Sequence, residues 1–171
     1  MTAPTLEIDV SPEWGDDIDW DMLAHRAAEA CAAEAQELAD PAMLVSLVFA
    51  DDEEIHALNK QWRAKDKPTN VLSFPMLSRE EVLRAHANNT ADESEAAPIM
   101  LGDIVLALGV CAREAEEKSV ALAVHATHLV IHGLLHLAGH DHELGDAEAE
   151  AMEAIETRAL ARLGIAAPYM N

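Results

Sequence analysis

The sequence predicts an α+β fold in a single domain spanning residues 1–171, with a small mixed sheet of about four strands packed against helices. Three observations lead there. Short apolar runs rich in β-branched residues, MLVSLVFA at 43–50 the plainest, are too short for a typical helix and read as buried strands. Segments with a helical period lie between them. One run, 121–138, is apolar nearly all round, as a helix buried in a core must be.

Taken in order, residues 4–10 read as a first strand, and apolar residues recur at Leu23, Ala27, Cys31 and Leu38 in a helical stretch from Asp19 to Leu38. MLVSLVFA follows as the second strand. Asp51 or Asp52 caps the next helix, which sets Ile55, Leu58 and Trp62 on one face and ends near Arg63; its acidic first turn suits the N-terminal dipole. NVLSF at 70–74 is a strand closed by Pro75. The polar, mixed-charge stretch at about 77–98 reads as a surface excursion with one helical turn. GDIVLAL at 102–108 is a further strand, followed by helices around 110–117 and 121–138. A last helix, Asp146 to Leu163, turns Met152, Ile155, Ala159 and Leu163 inward and its acids outward, with Gly164 placed to end it.

A chain of 171 residues buries roughly 70% of its unfolded surface, enough for one core. No apolar run reaches the roughly 18 residues of a membrane span, and the N-terminal MTAPTLEIDVSPEW lacks the basic and apolar regions of a secretory signal. A soluble cytoplasmic protein is the expectation. Cys31 and Cys111 have no C-x-x-C partner, so reduced, partly buried thiols are expected. A net charge of −21 ordinarily repels nucleic acid at long range. The cations are unevenly spread, however: Lys60, Arg63, Lys65 and Lys67 form a cationic island.

HGLLHLAGHDH, at 132–142, holds four of the nine histidines. On a helix, residues i and i+4 stack on one face, so His132 and His136 can offer two imidazoles to one ion. Gly139, just past the helix end, takes a left-handed conformation cheaply and lets His142 return to the same point. The spacing H-x-x-x-H-x-x-G-x-x-H is that of a metzincin zinc site, but the position of the protease's general-base glutamate is Gly133. Three histidines with an open fourth position describe a catalytic zinc centre, one Zn2+ per chain, in a cleft at the end of the buried helix. His125 and His128 lie one to two turns earlier and read as core groups or groups behind the ligands. His140 could substitute as a ligand or face outward or toward substrate. Asp141 could orient a ligand imidazole, act on water or stabilise the turn.

HGLLHLAGHDH, LNKQWRAKDKPTNVLSFP at 58–75 and LGDIVLA at 101–107 occur in an order that resembles the YbeY family of bacterial endoribonucleases, or rRNA maturation factors, over roughly residues 43–160. The resemblance implies a single α+β domain with zinc on His132, His136 and His142. It also implies single-strand-specific endoribonuclease activity in maturation of the 3′ end of 16S rRNA and in ribosome quality control. The family's cleft arginine falls on Arg63, whose planar, permanently charged fork suits the charge that grows on phosphate. The sequence departs from the commoner pattern at Asn70, where Asp is usual, and at His140, where Tyr is usual. Asn70, Ser73, His140 and Asp141 are the candidates for supporting the ligands or touching substrate. The implied partners are single-stranded RNA and rRNA, the small ribosomal subunit and its proteins, and an assembly GTPase, with no membrane. Two rival readings remain: a non-catalytic, metal-stabilised ribosome-assembly factor, and a metallopeptidase-like hydrolase.

Overall fold

The computed structural model describes residues 3–89, 98–141 and 145–166. Its strands are β1 (Thr5–Val10), β2 (Met43–Ala50), β3 (Val71–Pro75) and β4 (Ile99–Ala107), in the order β1-β2-β4-β3. β1, β2 and β4 run parallel, and β3 pairs antiparallel to β4 along one edge, so the sheet is mixed as expected. The helices are α1 (Trp20–Glu34), α2 (Asp52–Arg63), α3 (Arg79–Asn89), α4 (Leu108–Glu117), α5 (Leu122–Leu137) and α6 (Asp146–Arg162).

Alternation along the strands divides the core. Val45, Leu47 and Phe49 of β2 and Ile104 and Leu106 of β4 face a large cluster built with α1, α5 and α6. On the opposite sheet face Ala50, Leu72, Val105 and Ala107 meet Ile55 of α2 in a smaller one. Asp51 caps α2 by accepting from the Glu54 N–H at 2.8 Å, which settles which of the two aspartates does so. At one end of the large cluster Trp14 and Trp20 meet edge to face at 4.9 Å, and the Trp14 indole donates to the Ala50 carbonyl at 2.8 Å. Both cysteines are unpaired and fully buried, deeper than the partial burial expected of them.

Three element-level expectations are corrected. The stretch at 77–98 contains an eleven-residue helix, α3, rather than a single turn, because Val82 finds a fully buried seat; residues 90–97 of that stretch lie outside the described residues. Trp62, expected on the inner face of α2, is 65% exposed, because the helix crosses only part of the sheet and Ile55 takes the buried place. In α6 the acids do not all face outward: Glu156 is 1% exposed, set among residues that anchor the helix such as Met152, Ala159 and Leu160.

α5 lies against the sheet at unusually close range. A Cβ on Gly133 would meet Ile104 side-chain carbons at 3.0 Å, so the missing side chain is what lets the helix approach β4. At the strand β3, the Phe74 carbonyl sits where a Cβ on Gly102 would lie, 2.2 Å away, and Gly102 has φ of +144°. This glycine fixes how closely the edge strand can approach, and β3 forms one wall of the site.

Candidate active site

From His125 to Ala138 every residue is buried except His132 and His136. Those two open on a cleft of about 500 Å³ lined also by Trp62, Arg63, Asn70, Ser73 and Asp141. Residues from α2, the loop before β3, β3 itself and the turn after α5 thus converge on one space. Arg63, Asn70, Ser73 and Asp141, named from the sequence, all reach it. His140 does not line it; its ring Nε2 lies 3.5 Å from Glu37 Oε1. His142 lies outside the described residues.

The two cleft imidazoles are arranged for a shared guest. Their Nε2 atoms are 3.1 Å apart and their rings nearly perpendicular, at 77°. Two nitrogens bound to one tetrahedral zinc at ordinary Zn–N lengths lie about 3.3 Å apart. Behind them, Glu156 Oε1 lies 2.5 Å from His132 Nδ1, and Glu156 Oε2 lies 3.2 Å from His128 Nε2. A carboxylate accepts, so His132 carries its proton on Nδ1 and turns the Nε2 lone pair toward the cleft. That is the usual arrangement of a metal-binding imidazole. The donor chemistry therefore fits an ion.

A second grouping, His128, His132 and Glu156, has donor atoms within 4.8 Å of one another and could also hold a metal. It would use the Nδ1 side of His132, and Glu156 is all but sealed from solvent. An ion there would lack a position open to a reactant, whereas the Nε2 side faces the cleft.

The turn that follows α5 is built as the sequence suggests. Gly139 has φ of +95°, and a Cβ there would fall 2.6 Å from the Arg79 backbone. Arg79 Nη1 donates to the Ala138 carbonyl at 2.9 Å, so α3 closes the end of α5. Burial works to raise the Glu37 carboxyl, but His140 and Arg79 beside it outweigh burial and hold it below the usual carboxylate range.

Opposite, the cationic turn hangs on Asn59, which the sequence reading passed over. Asn59 is 1% exposed; its side-chain Nδ2 donates to the Lys67 carbonyl at 2.9 Å, and its backbone carbonyl accepts from the Lys65 N–H at 3.2 Å. Its place four residues after Ile55, on the apolar side of α2, was the signal available in the sequence. Asn70 is held by Glu114, whose Oε1 accepts from Asn70 Nδ2 at 2.9 Å and also lies 2.9 Å from His125 Nε2. An aspartate at 70 would set a second carboxylate against Glu114, while asparagine supplies a donor. Burial, the leading influence, holds the His125 imidazole below its ordinary range although Glu114 opposes it.

Comparison with known proteins adds to this geometry. The family model described as Endoribonuclease YbeY matches residues 11–164. A protein named Endoribonuclease YbeY in Novosphingobium aromaticivorans is 68% identical, over 99% of this chain and 98% of its own. One of the same name in Erythrobacter litoralis is 51% identical, over 96% and 98%. A Thermotoga maritima protein solved in solution superposes with a TM-score of 0.56 at 22% identity, over 94% of this chain and 92% of that one, and shares the fold.

Proposed function

Because the chain belongs to the YbeY family of endoribonucleases, we propose that it cleaves single-stranded RNA in a zinc-dependent reaction, with His132, His136 and His142 as the metal ligands and Arg63 as the phosphate-binding catalytic group. The supporting observation is the pair of Nε2 atoms 3.1 Å apart on a cleft that Arg63 also lines. Zinc, when bound, polarises a phosphoryl oxygen and acidifies water.

The chain's own residues do the rest. Glu156 fixes the tautomer and the direction of His132. Arg63 offers two parallel N–H donors to the non-bridging phosphate oxygens and gains strength as negative charge accumulates there. Asn70, tied to Glu114, and Ser73, tied through the β3 backbone to Ile104 of β4, present polar groups to the strand from fixed positions. Asp141 lines the cleft with the imidazoles and, as the acidic group among the described lining residues, takes up or hands over a proton in this reading.

The natural substrate we assign is the 3′ end of 16S rRNA, reached on the small ribosomal subunit in the cytoplasm. A net charge of −21 suits basic ribosomal proteins as docking partners, and an assembly GTPase is a further partner of this reading. No single helix among the described residues is long and apolar enough to cross a membrane. Against a peptidase stands Gly133, which supplies no general-base carboxylate and where even a Cβ would meet Ile104 side-chain carbons of the sheet at 3.0 Å.

The test is elemental analysis joined to cleavage of a defined single-stranded RNA. The wild type should carry about one zinc per chain, and the combined variant H132A/H136A/H142A should carry none. Arg63 is exposed at a helix end. Arg63→Ala should keep zinc and stability, within the roughly 0.5 kcal/mol usual for surface changes, and lose most turnover. Full cleavage by a nuclease-free preparation of Arg63→Ala removes that residue from the mechanism. An intact, zinc-loaded wild type that cuts no RNA leaves the assembly-factor reading in its place.

A further inference from the structure

The cleft does not end at the histidines. Trp62 and Phe74 also form walls of a neighbouring groove of about 370 Å³, lined by Ser46, Val48, Glu54, Leu58, Asp103 and Val105. Its floor is a cross-strand row in which Asp103 is the register partner of both Ser46 and Phe74. This is the part of the α2 face of the sheet that the helix leaves uncovered. Edge strand β3 is the ridge between the two spaces, with Trp62, 65% exposed, standing over both.

We propose that this groove is a subsite for one nucleobase of the RNA strand, the base adjoining the phosphate held at the cleft; the inference rests on the endoribonuclease reading above. A phosphate is excluded there, since Glu54 and Asp103 are the groove's charged groups and both are acidic. A flat aromatic heterocycle meets what the groove offers: the Trp62 and Phe74 rings at the sides, Val48, Leu58 and Val105 as apolar surface, and carboxylate and hydroxyl oxygens at the floor. Carboxylate acceptors select bases that present N–H donors. Cytosine and adenine offer an exocyclic amine and guanine offers N1–H and N2–H, whereas uracil offers only one ring N–H between two carbonyls that a carboxylate repels. The groove thus supplies affinity from the base side of the strand, where a chain of charge −21 cannot supply it from the backbone side.

Trp14 and Trp20 are 6% and 4% exposed, so Trp62 is the one tryptophan of the three open to solvent, and stacking on it can be read by fluorescence. Single-stranded 2′-deoxy hexamers of C and of U are titrated into the zinc-loaded protein, with anisotropy of an end label reporting binding independently. Cleavage of matched RNA hexamers is measured alongside. Oligo-C should quench the emission more strongly and bind more tightly than oligo-U. Trp62→Ala should weaken binding roughly 5- to 150-fold, the range for losing one stacked base, with the loss in KM rather than kcat, and Trp62→Phe should restore most of it. Asp103→Asn should narrow the preference for C over U while zinc content stays at the wild-type level. Hexamers that bind by anisotropy with no change in emission, or a Trp62→Ala variant of unchanged KM, overturn the subsite and leave the endoribonuclease reading standing. A wild type that neither binds nor cuts either hexamer overturns that reading and the subsite with it.

Discussion

Glu156 shows how much one residue can decide. Its carboxylate is 1% exposed, holds His132 Nδ1 at 2.5 Å and meets His128 Nε2 at 3.2 Å. Removing such a partner of a metal-binding imidazole typically weakens metal affinity by about 10- to 100-fold. Glu156→Ala should therefore show a zinc affinity lower by that factor, while Glu156→Gln, which keeps an oxygen to accept the Nδ1 proton, should lose less. Competition against a chromophoric chelator measures both. Equal affinities in wild type and Glu156→Ala would mean that His132 is oriented by the helix alone. Nothing in the residue's own sequence context distinguished Glu156 from the other acids of α6; what distinguishes it is burial against α5, which is a relation between two helices.

At the scale of elements, the seam between α4 and α5 carries two groups that burial shifts in opposite directions. Burial, acting first and against the neighbouring Glu114, holds His125 below its ordinary range. The folded state therefore favours neutral His125, and the unfolded chain takes up the proton first. Stability from this group is present above about pH 6.5 and is lost as pH falls toward the depressed value. Burial, again the leading influence, pushes the Cys111 thiol up to about 12. Its contribution is present below roughly pH 8.5 and is lost as pH rises toward the folded value. Denaturant unfolding across pH should show a plateau between these limits, with His125→Gln flattening the acid side and Cys111→Ala the alkaline side. Variants whose limbs match the wild type would relieve the seam of that role. Most elements were readable beforehand: β2 (Met43–Ala50) and α2, for example, follow local signals, a β-branched run and an aspartate cap followed by acids. α3 was not, because its polar surface has the composition of a loop and Val82 alone records the face it buries.

For the whole molecule the problem is charge. Of the eleven cations, Arg79, Arg84, Arg113, Arg158 and Arg162 are each within ion-pair distance of a carboxylate. Lys60, Arg63, Lys65 and Lys67 are all exposed, on the last turn of α2 and the segment that follows it, and Arg63 among them lines the cleft. At most about four phosphates can be neutralised there, and with single strands each contributes about −0.7 to the dependence of log affinity on log salt. The slope for free single-stranded RNA should thus be no steeper than about −3, and efficient cutting should depend on delivery by a ribosomal partner. A titration at several salt concentrations reads the slope directly, and a value near −6 would require a basic surface other than this turn.

The sequence by itself determined the α+β character, the four strands and the helices other than α3 in chain order, the pair His132 and His136 on one face of a buried helix, and the left-handed turn at Gly139. These are consequences of period, capping and backbone freedom, all of which act within a few residues of chain. Tertiary structure decided what depends on approach between distant segments. It put Glu156 behind His132 across 24 positions and tied Asn70 to Glu114 across 44. It also left Trp62 in solvent, because α2 covers only part of its sheet face. Hydrophobic period assigns a residue to a helix face but carries no record of how far the opposing sheet extends or which polar group stands opposite, and those two facts are settled only when the elements close on one another.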